Sequence, residues 1–276
     1  MDKQRIERNF SRYAKYYDRY SSVQELCAFK LIEGIKDKRF LRILEIGCGT
    51  GNYTRLLRER FPSAQITALD ISGEMIRIAK RKLMDKKIEF IVADGERINL
   101  KERFDFITSN ASFQWFLNLK DALLGYRDLL TEQGNLAFSI FGPFTFTELN
   151  LCIREFFAQD VSIASGNFVC REVIDSILRE GFEGVRIKEE RLKEEYSGLW
   201  ELLLKIRYTG AGGEGVRKGF WTYNLIRKLE RMYKERYKKV VATYQVFFCQ
   251  ARKGLVREGQ GLKKAELSLR KVCGKR

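Results

Sequence analysis

Between about residues 40 and 141, short apolar runs alternate with stretches of helical periodicity. The apolar runs predict five strands, at residues 42–47, 65–70, 88–94, 104–110 and 135–141. The stretches between them predict helices at residues 52–60, 73–82 and 119–130. Strands that alternate with helices form βαβ units, in which helices cover both faces of a parallel sheet. The sequence therefore predicts a doubly wound α/β fold.

After residue 141 the order of elements changes. The patterns predict helices at 147–158 and 171–180, a long polar strand at 185–196, two further helical stretches and a final strand at 244–252. We expect an antiparallel pair to complete the sheet. The predicted organisation is an N-terminal helical cap (1–40), a core (41–196 and 240–253), a helical lid (197–239) and a basic, mobile tail (254–276).

The composition limits the available chemistry. The 276 residues include 52 Lys and Arg, 36 Asp and Glu and no histidine, which gives a formal net charge of +16. Without imidazole the chain cannot form a Ser-His or Cys-His dyad or a histidine zinc site. The six cysteines contain no CxxC pair, so we expect no metal site and a reducing, cytoplasmic setting. No apolar run is long enough to predict a membrane span, and the charge favours an anionic partner.

A glycine-rich loop joins the first predicted strand to the helix that follows it, and its sequence is Glu45-Ile46-Gly47-Cys48-Gly49-Thr50-Gly51. Glycines allow a sharp turn and the close approach of a ligand, while the helix start offers free N–H donors. Asp70 ends the second strand, where a carboxylate can bind both ribose hydroxyls, and Asp94 ends the third, where it can meet an adenine amine. Either aspartate alone also suits an ordinary turn or helix cap; together with the loop they predict an adenosine site.

Residues 41–141 resemble class I S-adenosylmethionine-dependent methyltransferases, whose motif is this E-x-G-x-G-x-G with an acidic residue after the second strand. The resemblance implies a Rossmann-like, seven-stranded, mostly parallel sheet with one antiparallel strand, and S-adenosyl-L-methionine as cofactor. It implies that the three glycines line the methionine part, that Asp70 binds the ribose, that Ile71 or Met75 packs on adenine and that Asp94 meets its amine. The complete predicted cofactor set is Glu45, Gly47, Cys48, Gly49, Gly51, Asp70, Ile71, Met75, Asp94, Gly95 and Asn110.

Further motifs resemble the malonyl-acyl-carrier-protein O-methyltransferases of biotin synthesis. They are F-S-R-Y-A-K-Y-Y-D at 10–18 followed by Gln24, N-A-S-F-Q-W at 110–115, Leu204-Lys205 with Thr209-Gly210-Ala211, and Thr243-Tyr244. The likeness covers nearly the whole chain up to Lys253. The lid spacing departs from the family pattern, and the basic tail has no counterpart in it. The resemblance implies methyl transfer to the free carboxylate of a malonyl group on an acyl carrier protein.

The same resemblance suggests roles for individual side chains. Tyr17, Gln114 and Trp115 are the catalytic candidates, and the substrate-binding candidates are Arg12, Lys205 and Arg207. Tyr17 also belongs to a stripe of tyrosines, at 13, 16, 17 and 20, that could simply pack one face of a helix. Arg12 could equally be a solvated cation. The basic helical stretch at 225–239 is either a solvated face or a dock for an acidic carrier protein.

Three alternatives stay open at this point. The Q-W element and the N-terminal tyrosine also resemble carboxyl methyltransferases that act on a small free acid of the trans-aconitate type. The positive charge would suit an RNA methyltransferase, although N-A-S-F-Q-W is not the motif of amine-methylating enzymes, so a nucleic-acid partner is not expected. A regulatory protein could bind the cofactor without turnover. A carboxylate acceptor is already ionised near neutral pH and needs no general base.

Overall fold

A seven-stranded sheet with the order β3-β2-β1-β4-β5-β7-β6 forms the centre of the protein. A computed structural model describes residues 2–36, 39–157, 164–210 and 222–254. The strands are β1 (Arg42–Ile46), β2 (Gln65–Asp70), β3 (Ile88–Val92), β4 (Phe104–Asn110), β5 (Leu130–Phe141), β6 (Phe182–Tyr196) and β7 (Val240–Lys253). Only β7 is antiparallel to its neighbours, β5 and β6. The fold is the predicted doubly wound α/β architecture with one antiparallel strand.

Helices cover both faces of this sheet. They are α1 (Lys3–Tyr20), α2 (Ser22–Glu33), α3 (Asn52–Arg60), α4 (Gly73–Lys82), α5 (Leu119–Leu129), α6 (Thr147–Phe157), α7 (Arg171–Gly181), α8 (Leu199–Tyr208) and α9 (Tyr223–Tyr237). The central strands β1, β2 and β4 bury nearly all their apolar side chains, as expected for strands that are covered on both faces. The predicted bounds of β2, β4, α3 and α4 are confirmed to the residue.

The second half of the sheet is longer than predicted. β6 begins at Phe182, directly after α7, and β7 begins at Val240, so the two strands pair from Phe182↔Lys253 to Tyr196↔Val240. A bulge between Glu183 and Arg186 lets β6 continue past Gly184, whose φ is +60°. β5 likewise begins at Leu130, without a loop after α5. The sequence does not mark where these strands start, because each strand follows a helix with almost no connecting loop.

The N-terminal helices lie against the glycine loop and helix α4. Asp18 of α1 accepts hydrogen bonds from Thr50 Oγ1 (2.5 Å), Asn52 Nδ2 (3.2 Å) and Lys82 Nζ (2.8 Å). Near the middle of the helix, the hydroxyls of Ser11 and Ser72 are 2.8 Å apart. These contacts hold α1 across the end of the sheet where β1 and β2 finish.

Helices α8 and α9 lie between β6 and β7 in sequence, where the lid was predicted. The ring of Tyr208, the last residue of α8, packs against Tyr13, Tyr16 and Tyr20 of α1 at centroid distances of 5.2, 5.1 and 4.6 Å. The predicted mobile tail lies outside the described residues from position 255 onward. Among the described residues, no helix combines the length and the apolar character needed to cross a bilayer.

Candidate active site

Three neighbouring cavities open beside the carboxyl ends of β1, β2 and β4. The main cavity has a volume of about 630 Å³, the loop cavity beside the glycine loop about 370 Å³, and the inner cavity about 380 Å³. Tyr17 lines all three, so its side chain lies where they meet. The carboxyl edge of an open α/β sheet is where such folds bind their ligands.

The glycine loop shapes the wall between the main and loop cavities. Gly47 and Cys48 both donate their N–H groups to the carbonyl of Leu69, at 2.7 and 2.9 Å. Gly47 has a φ of +71°, and a Cβ there would stand 2.1 Å from Ser112 Oγ. Gly49 has a φ of +56° and open space where a Cβ would be. The loop therefore needs glycine for its backbone conformation at both positions and for close packing at Gly47.

Asp70 lies at the floor of the main cavity, at the end of β2. Its Oδ2 accepts a hydrogen bond from the Gly49 N–H (2.9 Å), and its Oδ1 accepts one from the Ser72 N–H (2.8 Å). Burial raises the pKa of this carboxyl to about 6, although the two backbone hydrogen bonds act in the opposite direction. Each oxygen keeps acceptor capacity for a hydroxyl donor in the cavity.

The far end of the main cavity contains Asp94, Gly95, Ile71 and Met75. Asp94 Oδ1 accepts hydrogen bonds from Lys3 Nζ (2.8 Å) and the Glu96 N–H (3.1 Å). A Cβ at Gly95 would stand 2.8 Å from Ile46 and 2.9 Å from Phe116, so this turn packs tightly.

Sequence reasoning missed the contribution of Lys3. Besides Asp94, it forms an ion pair with Glu96, and its ammonium lies 4.7 Å from the centroid of the Phe116 ring. Nothing in the local sequence marks this lysine, because both of its anionic partners are more than 90 residues away along the chain.

Glu45 and Gly51 do not line the three cavities, and their contact with the cofactor stays a prediction. Glu45 is 1% exposed, and its Oε2 has no hydrogen-bond partner in the described part of the chain. Burial raises the pKa of Glu45 to about 8, so it is largely protonated at neutral pH. Gly51 donates to the carbonyl of Cys48 (3.0 Å) and closes the loop against Ala79 and Leu83. Cys48 lines the loop cavity.

The inner cavity is lined by uncharged residues, seven of which carry aromatic rings: Phe10, Tyr17, Gln24, Ala111, Gln114, Trp115, Phe141, Thr145, Phe146, Phe168, Thr209 and Tyr244. Asn110, at the end of β4, donates to the carbonyl of Gln24 (2.9 Å) and accepts from Ser139 Oγ (2.7 Å). Gln114 is 4% exposed; its Nε2 donates to the carbonyl of Ala111 (2.6 Å), and its Oε1 has no partner among the described residues. The structure thus brings the predicted Tyr17, Gln114 and Trp115 together.

Tyr17 differs from the other tyrosines of α1. Its ring contacts Phe10, at a centroid distance of 6.4 Å, and not Tyr208. No residue in the described ranges forms a hydrogen bond with its hydroxyl. Burial, reinforced by the charge of Asp70, raises its pKa well above the usual value, so the hydroxyl stays a donor at neutral pH.

The three predicted substrate-binding cations do not line the inner cavity. Lys205 is 4% exposed; its ammonium donates to Ser22 Oγ (2.5 Å) and pairs with Glu194. Arg207 is exposed and donates from Nε to the hydroxyl of Tyr13 (2.9 Å), and Arg12 is also exposed. Lys205 is therefore a buried residue of α8 that forms an ion pair with Glu194 near the end of β6.

Within the described ranges, histidine, cysteine, aspartate and glutamate side chains never gather in a group of three that could hold a metal ion.

Comparison with known proteins first defines the class. A family model described as a methyltransferase domain matches residues 43–134, which include the glycine loop, Asp70 and Asp94. The protein is an S-adenosylmethionine-dependent methyltransferase.

Full-length relatives then define the family. A malonyl-acyl-carrier-protein O-methyltransferase of Acetivibrio thermocellus is 35% identical over 273 residues, covering 92% of this chain and 95% of the relative. The Ilyobacter polytropus protein called malonyl-acyl-carrier-protein O-methyltransferase 2 is 35% identical, covering 86% of this chain and 92% of the relative. The chain belongs to the malonyl-acyl-carrier-protein O-methyltransferase family.

Solved structures agree on the fold. The YcgJ protein of Bacillus subtilis has a TM-score of 0.59 at 13% identity, covering 83% of this chain and 99% of YcgJ. Phosphoethanolamine N-methyltransferase 2 of Haemonchus contortus, solved with S-adenosyl-L-methionine, has a TM-score of 0.56 at 18% identity, covering 88% of this chain and 57% of that protein. S-adenosylmethionine is the cofactor of this enzyme class, and the three cavities offer the groups that it requires. Asp70 can accept hydrogen bonds from ribose hydroxyls, and Asp94 can accept one from an adenine amine.

Proposed function

We propose that the protein transfers a methyl group from S-adenosylmethionine to the free carboxylate of a malonyl group carried as a thioester by an acyl carrier protein. One observation carries the assignment: the inner cavity, which is lined by uncharged residues, and the main cavity share Tyr17, whose hydroxyl has no hydrogen-bond partner among the described residues. The names of the family's members support this acceptor. In the family's pathway this esterification is an early step of biotin synthesis.

The inner cavity suits the end of an acyl chain that carries one carboxylate. Its aromatic walls favour the apolar carbons of the acceptor and exclude water. The Tyr17 hydroxyl can donate a hydrogen bond to the carboxylate oxygen that does not receive the methyl group, and so orient the other oxygen. Trp115, in edge contact with Phe10 (5.9 Å) and Phe168 (5.5 Å), forms a rigid wall of the cavity.

Methylation of a carboxylate requires no proton transfer. The cofactor supplies an electrophilic methyl group, and the acceptor is ionised near neutral pH. The chain's residues therefore act by binding, by orientation and by excluding water. Gln114 contributes to orientation because it holds the carbonyl of Ala111, which has a φ of +50°, and so fixes the wall after β4.

We propose helices α8 and α9 as the lid of this site. Thr209, just after α8, lines the inner cavity, and a Cβ at Gly210 would stand 2.6 Å from the Phe10 ring. The end of α8 therefore packs on the same part of α1 that borders the acceptor. We infer that substrate entry requires this contact between α1 and α8 to open.

We propose the outer face of α9 as the docking surface for the carrier. An open groove between α8 and α9 exposes Trp200 (56%) and Tyr223 (73%), and Arg227 and Arg231 border it. These two arginines form no ion pair with any described residue, whereas Lys234 pairs with Glu230 at 2.5 Å. An acidic carrier surface would complement these charges, and such charges mainly raise the rate of association.

The test is methyl transfer from labelled S-adenosylmethionine to malonyl-acyl carrier protein, malonyl-coenzyme A, trans-aconitate and bulk RNA in parallel. We expect a base-labile methyl ester on the malonyl thioesters, formed faster on the carrier protein. Changing Arg227 and Arg231 to Gln should raise KM for the carrier protein and leave KM for malonyl-coenzyme A unchanged. The exposed Lys101 and Arg103, both changed to Gln, are the control with equal charge. Label in trans-aconitate or RNA alone would refute the acceptor assignment.

A further inference from the structure

The loop cavity has a wall that the glycine motif does not supply. Tyr17, Ser21, Gln24 and Glu25 line it from the elbow where α1 ends and α2 begins. Gln24 stands out in the sequence only as a residue that follows the N-terminal motif, and the methyl-transfer chemistry leaves it without a role. We propose that Gln24 and Glu25 together bind the α-ammonium group at the methionine end of the cofactor.

The first argument is the unpaired oxygen of Gln24. Its Oε1 is buried and has no hydrogen-bond partner among the described residues. A buried acceptor without a donor is costly, and such groups are rare unless a ligand or water completes them. Gln24 lines both the loop cavity and the inner cavity, so its amide lies beside the place where the cofactor's amino-acid end must enter.

The second argument is charge. Glu25 is the one formally charged side chain among the described residues that line the loop cavity. Its Oε1 accepts hydrogen bonds from Asn52 Nδ2 (3.1 Å) and Ser21 Oγ (3.2 Å), and its Oε2 has no hydrogen-bond partner among the described residues. An ammonium group brings three donors and a positive charge. The amide oxygen of Gln24 and the carboxylate of Glu25 therefore offer the acceptors and the negative charge that an ammonium group requires.

The third argument is that the site is already in place. The backbone carbonyl of Gln24 accepts the amide of Asn110 at 2.9 Å, which fixes the start of α2 against the end of β4. Asp18, one turn before Ser21, is bonded to Thr50 and Asn52 of the glycine loop and helix α3. The elbow is thus held on both sides of the cavity. A group that is positioned in advance loses little entropy on binding.

The experiment compares two ligands by calorimetry on the intact protein. S-adenosylhomocysteine carries the amino-acid end, whereas 5′-methylthioadenosine has the same adenosine and thioether without it. We expect Gln24→Leu to weaken S-adenosylhomocysteine about tenfold, which is the loss of one charged hydrogen bond, and to change methylthioadenosine by less than about twofold. Glu25→Gln should show the same selectivity. The exposed Gln133→Leu is the matched control.

Two further measurements separate recognition from a structural role. Gln24→Glu should retain or strengthen binding of S-adenosylhomocysteine, because a carboxylate is a better acceptor for an ammonium group. The deamino analogue of S-adenosylhomocysteine should bind the native protein weakly, and Gln24→Leu should weaken it no further.

An equal loss for both ligands, or no loss for either, would overturn the inference. The inference rests on the cofactor and not on the malonyl acceptor, so its failure would leave the methyl-transfer assay as a separate test.

Discussion

The ionisation of Asp70 should control cofactor binding below pH 7. Burial raises its pKa to about 6 in the free protein, and the ionised form is the better acceptor for ribose hydroxyls. If only that form binds, the apparent Kd rises as the protonated fraction grows. With a pKa near 6, the increase is about twofold at pH 6 and about elevenfold at pH 5, relative to pH 8.

Calorimetric titration of S-adenosylhomocysteine between pH 8 and pH 5 measures this effect directly. Two buffers of different ionisation enthalpy also count protons, and binding near pH 6 should release about half a proton. Asp70→Asn should bind more weakly, by about 1 to 3 kcal/mol, and should lose the pH step. An unchanged Kd from pH 8 to pH 5, or proton uptake on binding, would refute the role of Asp70.

Glu45 is the neighbouring acid that must be separated from Asp70. Burial raises the pKa of Glu45 to about 8, so a step that belongs to it would fall at higher pH. Glu45→Gln should keep the step near pH 6. Because the folded-state pKa of Glu45 lies above its unfolded value, this group's contribution to stability is complete below about pH 4.5 and is lost as pH rises toward 8. The variant should therefore raise the free energy of unfolding more at pH 8 than at pH 5.

Three other substitutions test the site and its support. Tyr17→Phe should lower kcat about tenfold, the value of one hydrogen bond to a charged acceptor, with little change in the Kd of S-adenosylhomocysteine; the reverse pattern would limit Tyr17 to cofactor contact. Gly47→Ala should lower the free energy of unfolding by about 1 to 2 kcal/mol because of the positive φ alone, and it should abolish cofactor binding because the new Cβ collides with Ser112. If the collision is the cause, adding Ser112→Gly should recover part of the stability in thermal unfolding. Lys205→Met should lower the free energy of unfolding by about 3 to 5 kcal/mol, and adding Glu194→Gln should recover most of that loss. Unchanged stability with a raised KM for the acceptor would instead make Lys205 a substrate ligand.

The parallel half of the fold could be predicted from sequence because its signals are local. β2 and β4 are continuous apolar runs, and the helices after β1 and β2 begin at a glycine loop and at the Ser72 cap, whose hydroxyl accepts from the Met75 N–H (3.2 Å). The predicted start of β7 was four residues too late, because the chain turns into β7 at Lys238, the residue after α9, which has a φ of +66°. Neither glycine nor proline marks that turn in the sequence.

The candidate site likewise contains residues that the sequence locates and residues whose positions depend on distant parts of the chain. The glycine loop, Asp70 and Asp94 follow from a motif and from strand ends, so the sequence locates them. The position of Lys205 depends on Glu194, which lies on a different element, and nothing in the sequence around this lysine of α8 indicates that it will be buried. Long-range packing, and not local pattern, decides whether such a charge meets solvent or a partner, and the substrate-binding role of Lys205 stays a prediction.

The helical periodicity of α1 separates the residues that line the main cavity from those that pack on α8. Lys3, Ile6, Phe10 and Tyr17 all line the main cavity, and their spacings of three, four and seven residues place them on one stripe of the helix. Tyr13, Tyr16 and Tyr20 occupy the adjacent stripe and pack on Tyr208. From Lys3 at Asp94 to Asp18 at Thr50 the helix extends about 22 Å, so it runs along the main cavity from Asp94 to the glycine loop. The four tyrosines of α1 therefore belong to two faces of the helix. Tyr13, Tyr16 and Tyr20 attach α1 to the proposed lid, whereas Tyr17 faces the place where the three cavities meet.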